Sequence, residues 1–230
     1  MQADFARQLR RAVSNERLEG YVARGAVAGD DNLFSHYAWN IALAESLYPS
    51  LQCLEVALRN SMHMAISQRC GRQDWYDTVL KGSDEQAKLN KAKANLISRQ
   101  TPLDPGKVVA ELTFGFWACL LDSRYETFWP PMLKSAFPSV PNFCRTRKYL
   151  SKEVNEIRTL RNRAFHHEPI WHWQDLTIKH SRIINLIGGI TPAMKTYVEA
   201  IDRFPSIHAA GVTKYQNLVQ QMGNPQDTVP

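Results

Sequence analysis

The sequence predicts an all-α fold, and three observations support this prediction. Apolar residues recur at steps of three and four along the main segments, which is the period of a helix with one buried face. No segment shows the apolar–polar alternation of a strand between turn residues. Glycine and proline fall mainly between the periodic segments, where they end helices. We therefore expect one helical domain over residues 1–222 and a frayed tail over 223–230.

The first two expected helices have clear start and stop signals. A first helix covers about residues 5–24, with an interruption near Ser14, which is a good N-cap. A long second helix covers about residues 30–70, with two aspartates at its start that can cap it and Gly71 as its stop. Pro49 is expected to kink or divide it. Its core stripe comprises Ala44, Leu47, Leu51, Leu54, Leu58 and Met62.

Further helices are expected along the rest of the chain. The expected ranges are about 83–98, 107–121, 175–187 and 192–204, with room for one more after Pro205. A further helix is expected to start between 142 and 145 and to end at 166 or 167. The first of these opens on a capping-box pattern, Ser83-Asp84-Glu85-Gln86. The strongly apolar helix over 107–121 is expected to be central. The helix over 175–187 is expected to stop at Gly188-Gly189.

Composition excludes several classes of protein. Hydrophobic residues make up 44% of the chain and charged residues 22%, which is typical of a globular protein and not of a disordered one. No run of eighteen apolar residues predicts a membrane span, and residues 1–7 do not begin a secretory signal. None of the four cysteines has Cys-x-x-Cys spacing, so we expect reduced, packed thiols and a cytoplasmic protein.

Positive charge is concentrated in one segment. The chain carries a net charge of +6, and residues 145–163 contain seven basic and two acidic residues, a local excess of +5. Such a helix is either a solvated face or a surface that contacts the phosphates of a nucleic acid. The basic residues are Arg145, Arg147, Lys148, Lys152, Arg158, Arg161 and Arg163.

The candidate chemistry lies at the end of this basic helix. Asn162 and His166 are four residues apart and share a face, whereas Arg161 and His166 are five apart, about 140° around the axis. Arginine matches the oxygens of a phosphate with a planar fork of donors, and histidine exchanges protons near neutral pH. The 2′-hydroxyl of RNA is an internal nucleophile, so cleavage at such a site needs no metal.

The segment Arg161-Asn162-Arg-Ala-Phe-His166-His-Glu-Pro-Ile resembles the Arg-Asn-x-x-x-His signature of HEPN ribonucleases, in their Abi-like (abortive-infection) branch. Two other segments are similar to that branch, in the same order. They are Leu-Tyr-Pro-Ser-Leu at 47–51, followed by Leu-Glu-Val-Ala-Leu-Arg-Asn at 54–60, and Glu-Leu-Thr-Phe-Gly-Phe-Trp at 111–117. The resemblance covers about residues 16–190.

The resemblance implies a HEPN-like helical bundle with additional helices and endoribonuclease activity in phage defence or as a toxin. It also implies a homodimer whose signature helices meet to form a composite site, and it leaves room for an antitoxin, protein or RNA. Arg161 and His166 are then the catalytic pair, supported by Asn162. Some HEPN toxins are modified on a Tyr two residues after the His; that position is Glu168 here, so this control is not expected.

The expected RNA-binding residues surround this signature: Arg145, Arg147, Lys148, Arg158, Arg163 and His167. Two further residues are expected to support the site. Glu111 precedes an apolar stretch and is expected to form a structural ion pair, for which Arg59 and Arg161 are the candidates, while a direct catalytic role is the alternative. Glu55, Arg59 and His63 follow at steps of four and predict a salt-bridged strip, with a smaller role in RNA binding.

Other constellations are weaker. His167, His172 and His180 fit no compact zinc pattern, so we expect no metal and no cofactor. Trp171 and Trp173 are expected to pack near the end of the bundle, although they could stack on bases. Two other functions stay open: a non-catalytic module that binds a small structured RNA, and a helical protein–protein scaffold with negligible affinity for RNA at physiological salt.

Overall fold

The computed structural model describes residues 1–222, and within them all regular structure is helical, which confirms the all-α class. The predicted tail over 223–230 lies outside the described residues. The helices are α1 (Ala3–Val13), α2 (Asn15–Val22), α3 (Asp30–Cys70), α4 (Tyr76–Val79), α5 (Ser83–Ser98), α6 (Pro105–Glu111), α7 (Phe114–Cys119), α8 (Leu133–Ala136), α9 (Arg147–Phe165), α10 (Leu176–Ile190), α11 (Pro192–Ile201), α12 (Phe204–Ala210) and α13 (Thr213–Gln221).

The described residues form two compact units. The first contains residues 1–48, 160–180 and 202–222, and the second contains residues 49–159 and 181–201. Helices α3 and α9 each contribute residues to both units. The expectation of a single domain over 1–222 stays a prediction.

The first unit is built around the N-terminal helices. Ser14 separates α1 from α2 with a positive φ of 79°, and its hydroxyl accepts the backbone N–H of Arg17 at 3.3 Å. The predicted interruption and N-cap are therefore confirmed. The core of this unit contains Leu18, Tyr21, Leu33, Phe34 and Val219.

Helix α3 starts and stops where the sequence predicts. It ends at Cys70, and Gly71 follows with φ +68°, the left-handed conformation in which glycine commonly ends helices. Pro49 lies inside the helix and does not divide it. The two aspartates lie in the first turn rather than at a cap, and Asp30 accepts the Nε of Arg10 at 2.5 Å.

The single helix predicted over 107–121 is wrong, because the chain forms α6 and α7 with an extended break at Leu112 and Thr113. A side chain from α3 explains the break. The carboxylate of Glu55 accepts the first backbone N–H of α7, that of Phe114, at 2.9 Å. The prediction of a central position is confirmed, since Phe116 and Trp117 of α7 are fully buried in the second unit.

The predicted capping box at Ser83 is also wrong, because Gly82 is the N-cap and no side chain caps α5. Glu85 is fully buried beside Gly82 and pairs with Arg124 at 3.5 Å. A Cβ atom at position 82 would lie 2.0 Å from both of these side chains. The pair between buried Glu85 and partly exposed Arg124 thus occupies the space that a side chain at the cap position would need.

Gly188 and Gly189 do not stop a helix as predicted, since both lie inside α10. The backbone carbonyl of Gly189 accepts the N–H of Ser139 at 3.0 Å. A Cβ atom at position 189 would lie 2.5 Å from Cγ2 of the buried Val140. This glycine therefore serves close packing of α10 against the 137–141 segment rather than chain termination.

We expect replacement by alanine to change the free energy of unfolding differently at the two glycines. Gly189→Ala should lower the free energy of unfolding by about 1–3 kcal/mol, because the stiff, buried Val140 must move. Gly188→Ala meets only the flexible Lys195 side chain, at 2.9 Å, and gains helix propensity, so its stability should not fall. Urea denaturation followed by circular dichroism measures both. Equal destabilisation by the two changes would contradict the packing role of Gly189.

Candidate functional site

The signature segment lies where α9 ends. The backbone N–H of Glu168 bonds to the carbonyl of Arg163 at 2.9 Å, and that of His167 bonds to the carbonyl of Ala164 at 3.2 Å. His167 has φ +59°, so these two bonds form a Schellman-type helix terminus with a histidine in the left-handed position. The helix begins at Arg147, two to five residues later than predicted, and ends at Phe165, one or two residues earlier than predicted.

A buried side chain of α3 holds the chain beyond this terminus. Asn40 is only 4% exposed, and its Oδ1 accepts the backbone N–H groups of Ile170 at 2.7 Å and Trp171 at 3.3 Å. Its Nδ2 donates to the carbonyl of Glu168 at 3.5 Å. Sequence reasoning missed Asn40. A polar residue within the apolar pattern of α3 was the available signal.

The three predicted catalytic residues differ in exposure. Asn162 and His166 are exposed, and the backbone N–H of His166 bonds to the carbonyl of Asn162 at 2.9 Å, one helical turn away. Arg161 is half-buried, and the centre of its guanidinium lies 4.9 Å from the centroid of the Phe165 ring. The end of α9 therefore presents an imidazole and a carboxamide to solvent.

Arg163 and His167 make contacts within the first unit. Arg163 pairs with Glu168 at 3.2 Å and lies over the Trp173 ring at 5.4 Å. The His167 side chain is exposed, while its carbonyl accepts from Arg17 at 2.7 Å. Because the Arg163 guanidinium is about one-third exposed, it keeps access to an anionic ligand.

The two tryptophans differ in their surroundings. Trp171 stacks on Tyr21 with 6.3 Å between ring centroids and lies against His36 at 4.4 Å, so the packing interpretation is confirmed for it. Trp173 has the Lys179 ammonium over its ring at 5.1 Å in addition to Arg163. Two cations therefore lie over the ring of Trp173, which the sequence analysis named as able to stack on bases.

The basic residues predicted to bind RNA along α9 are not equivalent. Arg147 is buried and donates to the Glu126 carboxylate and to the carbonyl of Leu121. Arg145 donates to the carbonyls of Val140 and Pro138. These bonds use much of the hydrogen-bond donor capacity of both guanidinium groups. By contrast, Lys148 is exposed and Arg158 is half-buried. Roles of these four residues in RNA binding stay predictions.

Glu111 has an ion-pair partner, but neither predicted partner supplies it. Arg99 pairs with Glu111 at 3.2 Å, and Asn95 donates to the same carboxylate at 2.9 Å. Arg59 instead donates to the carbonyl of Ala110 at 3.2 Å. Asn95 lies in the last turn of α5 and Arg99 is the C-cap residue of that helix. Contact between the end of α5 and the end of α6 therefore supplies both bonds, and the sequence does not show which helices meet.

The predicted strip of Glu55, Arg59 and His63 stabilises the second unit by separate contacts. Glu55 caps α7, and Arg59 binds the end of α6. Nδ1 of His63 accepts the indole N–H of Trp75 at 2.9 Å, and burial lowers the pKa of this imidazole. An imidazole that accepts at Nδ1 must be unprotonated there, so the bond and the pKa shift agree.

An apolar groove that sequence reasoning missed lies in the first unit, beside the end of α9. Its volume is about 560 Å³, and α3 contributes Tyr37, Ile41, Ala44 and Tyr48 to its lining. Phe165 and His167 line it from the signature segment. The exposed Tyr48 and Phe165 rings meet edge to face, with centroids 6.0 Å apart.

Comparison of the chain with protein-family models, with curated proteins and with solved structures gives no match.

Among residues 1–222, no helix combines the length and hydrophobicity that a bilayer crossing requires. Within the same residues, no three His, Cys, Asp or Glu side chains are grouped so that they could ligate a metal ion. All four cysteines carry free thiols, and burial raises the pKa of Cys53 and Cys119.

Replacing Asn40 should destabilise the segment that follows the signature. Asn40→Ala leaves the backbone N–H groups of Ile170 and Trp171 without their acceptor, so the free energy of unfolding should fall by about 2–4 kcal/mol. Asn60→Ala, on the exposed surface of the same helix, is the matched control and should change it by less than about 0.5 kcal/mol. Thermal denaturation of both variants measures the difference, and similar melting temperatures would contradict the role of Asn40.

Stability should fall when the pH drops below 6.5, the usual pKa of histidine. Burial lowers the pKa of His63, His172 and His180 in the folded protein, so the unfolded chain binds more protons in this range. The contribution is complete above pH 6.5 and is lost as the pH falls through the lowered values.

Urea titrations of wild type and His63→Gln at pH 7.5 and 5.5 measure this effect. Glutamine retains an acceptor for Trp75 but does not titrate, so the variant should lose less stability on acidification. An identical pH dependence in both proteins would show that His63 is not a source of it.

Proposed function

We propose that this protein is a metal-independent endoribonuclease of the abortive-infection or toxin type, with Arg161, Asn162 and His166 as its site. The observation that supports this most is the exposure of His166 and Asn162 at the terminus of a basic helix, in the Arg-Asn-x-x-x-His order. Solvent access at this terminus leaves room for a phosphodiester beside the imidazole.

The proposed reaction is a transfer within the RNA. The 2′-oxygen loses its proton and attacks the adjacent phosphorus, and the bond from phosphorus to the 5′-oxygen breaks. The 5′-oxygen takes up a proton and leaves as a hydroxyl, so the products are a 2′,3′-cyclic phosphate and a 5′-hydroxyl end. His166 supplies the general base or the general acid of this reaction.

Arg161 has the complementary role of stabilising charge on the phosphorane. Its guanidinium stands against Phe165, which limits its motion and reduces the entropy lost when it binds a phosphate. Positions 161 and 166 are about 140° apart around the helix axis, so one helix does not align both side chains. A homodimer in which two copies of the signature meet brings an arginine and a histidine together.

Cleavage of labelled single-stranded RNA in EDTA tests the proposal. Wild type should cut, whereas Arg161→Ala and His166→Ala should each lose about 100-fold or more in rate, as expected for loss of a charge-stabilising or proton-transferring group. Arg161→Lys should recover little, because an ammonium lacks the planar fork. Arg7→Ala, at an exposed arginine of α1, is the control and should cut at the wild-type rate. Equal rates in all these proteins would exclude the assignment.

A non-catalytic module that binds a small structured RNA is the second candidate, and the exposed basic side chains of α9 favour it. Lys148 and Lys152 are exposed and can contact phosphates without His166. This candidate predicts that wild type and His166→Ala bind RNA equally and leave it intact, with affinity that falls steeply as salt rises. Binding measured between 50 and 300 mM salt, together with gel analysis of the RNA, separates it from the enzyme.

A further inference from the structure

The groove beside the signature is lined by large apolar side chains that are partly exposed to solvent. Ile41 is 52% exposed, Tyr48 51% and Phe165 37%, and all three line the same concave space of about 560 Å³. The Tyr48 and Phe165 rings stand nearly perpendicular, at 72°. A slot walled by aromatic rings suits a flat, apolar ligand that can stack on one ring and meet the edge of the other.

The charges around the groove restrict what that ligand can be. Arg161 lies over the Phe165 ring, and Arg17 binds the carbonyl of His167. Glu45, the acidic residue of the lining, pairs with Arg203 at 2.8 Å. The surroundings therefore favour a ligand that carries an anionic group next to its flat ring, which is the chemistry of a nucleotide.

We propose that this groove binds an unpaired nucleobase of the RNA, adjacent to the phosphate held at Arg161 and His166. This inference rests on the proposed function and extends it to the class of substrate. Phe165 connects the two sites, because its ring lines the groove and also contacts the Arg161 guanidinium. A base inside a duplex has both faces stacked and cannot enter, so the groove selects single-stranded or looped RNA.

A second copy of the chain is the other occupant to consider. Three partly exposed apolar side chains supply much less than the roughly 800 Å² that each partner buries in a stable interface, so the groove alone cannot form the dimer that the proposed function requires. The groove is concave, which suits a small planar group. In this proposal Tyr48 determines specificity for the base, and the dimer contact lies elsewhere on the signature.

Binding of an oligoribonucleotide that contains one abasic position tests this in a double-mutant cycle. The abasic site is moved along a twelve-nucleotide single strand, and binding to His166→Ala protein is measured by fluorescence anisotropy. At one position the missing base should weaken binding about tenfold, because base–aromatic stacking contributes on that scale. In the His166→Ala/Tyr48→Ala protein the same abasic site should have no further effect.

Tyr197→Ala in the same background is the matched control. Tyr197 is 60% exposed on α11 and does not line the groove, so the abasic effect should remain tenfold in this variant. Circular dichroism checks that the Tyr48→Ala protein is folded. Tyr48→Phe retains the aromatic ring and should retain the preference for the intact base.

The outcomes separate the inference from the proposed function. Cleavage by wild type without coupling between Tyr48 and any abasic position overturns the base site and leaves the enzyme assignment standing. Coupling in a protein that never cuts RNA supports the base site and removes the catalytic proposal. If Tyr48→Glu instead dissociates a dimer in sedimentation and RNA binding is unchanged, the groove is a subunit interface and the inference is wrong.

Discussion

The position of the signature depends on one buried carboxamide. Asn40, within helix α3, accepts two backbone N–H groups and binds one carbonyl in the segment that follows α9. Ile170 is fully buried, so its backbone N–H would lack a partner without Asn40. A single side chain thus sets the direction of the chain just beyond His166 and His167, and an apolar residue could not replace it.

The terminus itself adds a second constraint. His167 adopts a left-handed conformation that most residues disfavour, which bends the chain sharply after the last helical turn. His166 stands at the exposed end of the helix, and Glu168, beyond the bend, pairs with Arg163. The candidate chemistry therefore lies at a helix end that is closed by two backbone hydrogen bonds, and Asn40 binds the segment that follows it. Such support is suited to holding reactive groups in place.

The basic helix shows why charge counting is a poor guide to a binding surface. Arg147 belongs to an internal network with Glu126 and Leu121, and Arg145 binds the carbonyls of the segment before α9. A buried guanidinium needs several acceptors, and the protein supplies them here. Only the exposed remainder of the +5 excess is available to a phosphate backbone, and sequence gives no means of separating the two sets.

Local patterns alone were sufficient for much of the helical architecture. The 3.6-residue period, the cap at Ser14 and the left-handed stop at Gly71 are properties of neighbouring residues, so the bounds of α3 followed from them. The range of α5 was also predicted, although Gly82 and not the expected capping box lies at its start. The same local reasoning located the exposed end of α9 to within two residues. It also indicated that Glu111 needs a charged partner, although not which one.

Contacts between distant residues decided the rest. Glu55 caps α7 and so accounts for the break in the predicted helix at Thr113. The nearby Val140 side chain explains why a glycine stands at position 189 inside α10, and Arg99 takes the place expected for Arg59. Each is a hydrogen bond or a steric limit between residues far apart in the chain, which no local period encodes. The sequence alone therefore determined the Arg-Asn-x-x-x-His signature at 161–166. The aromatic groove beside it exists only because α3 and the end of α9 pack against each other in the first unit.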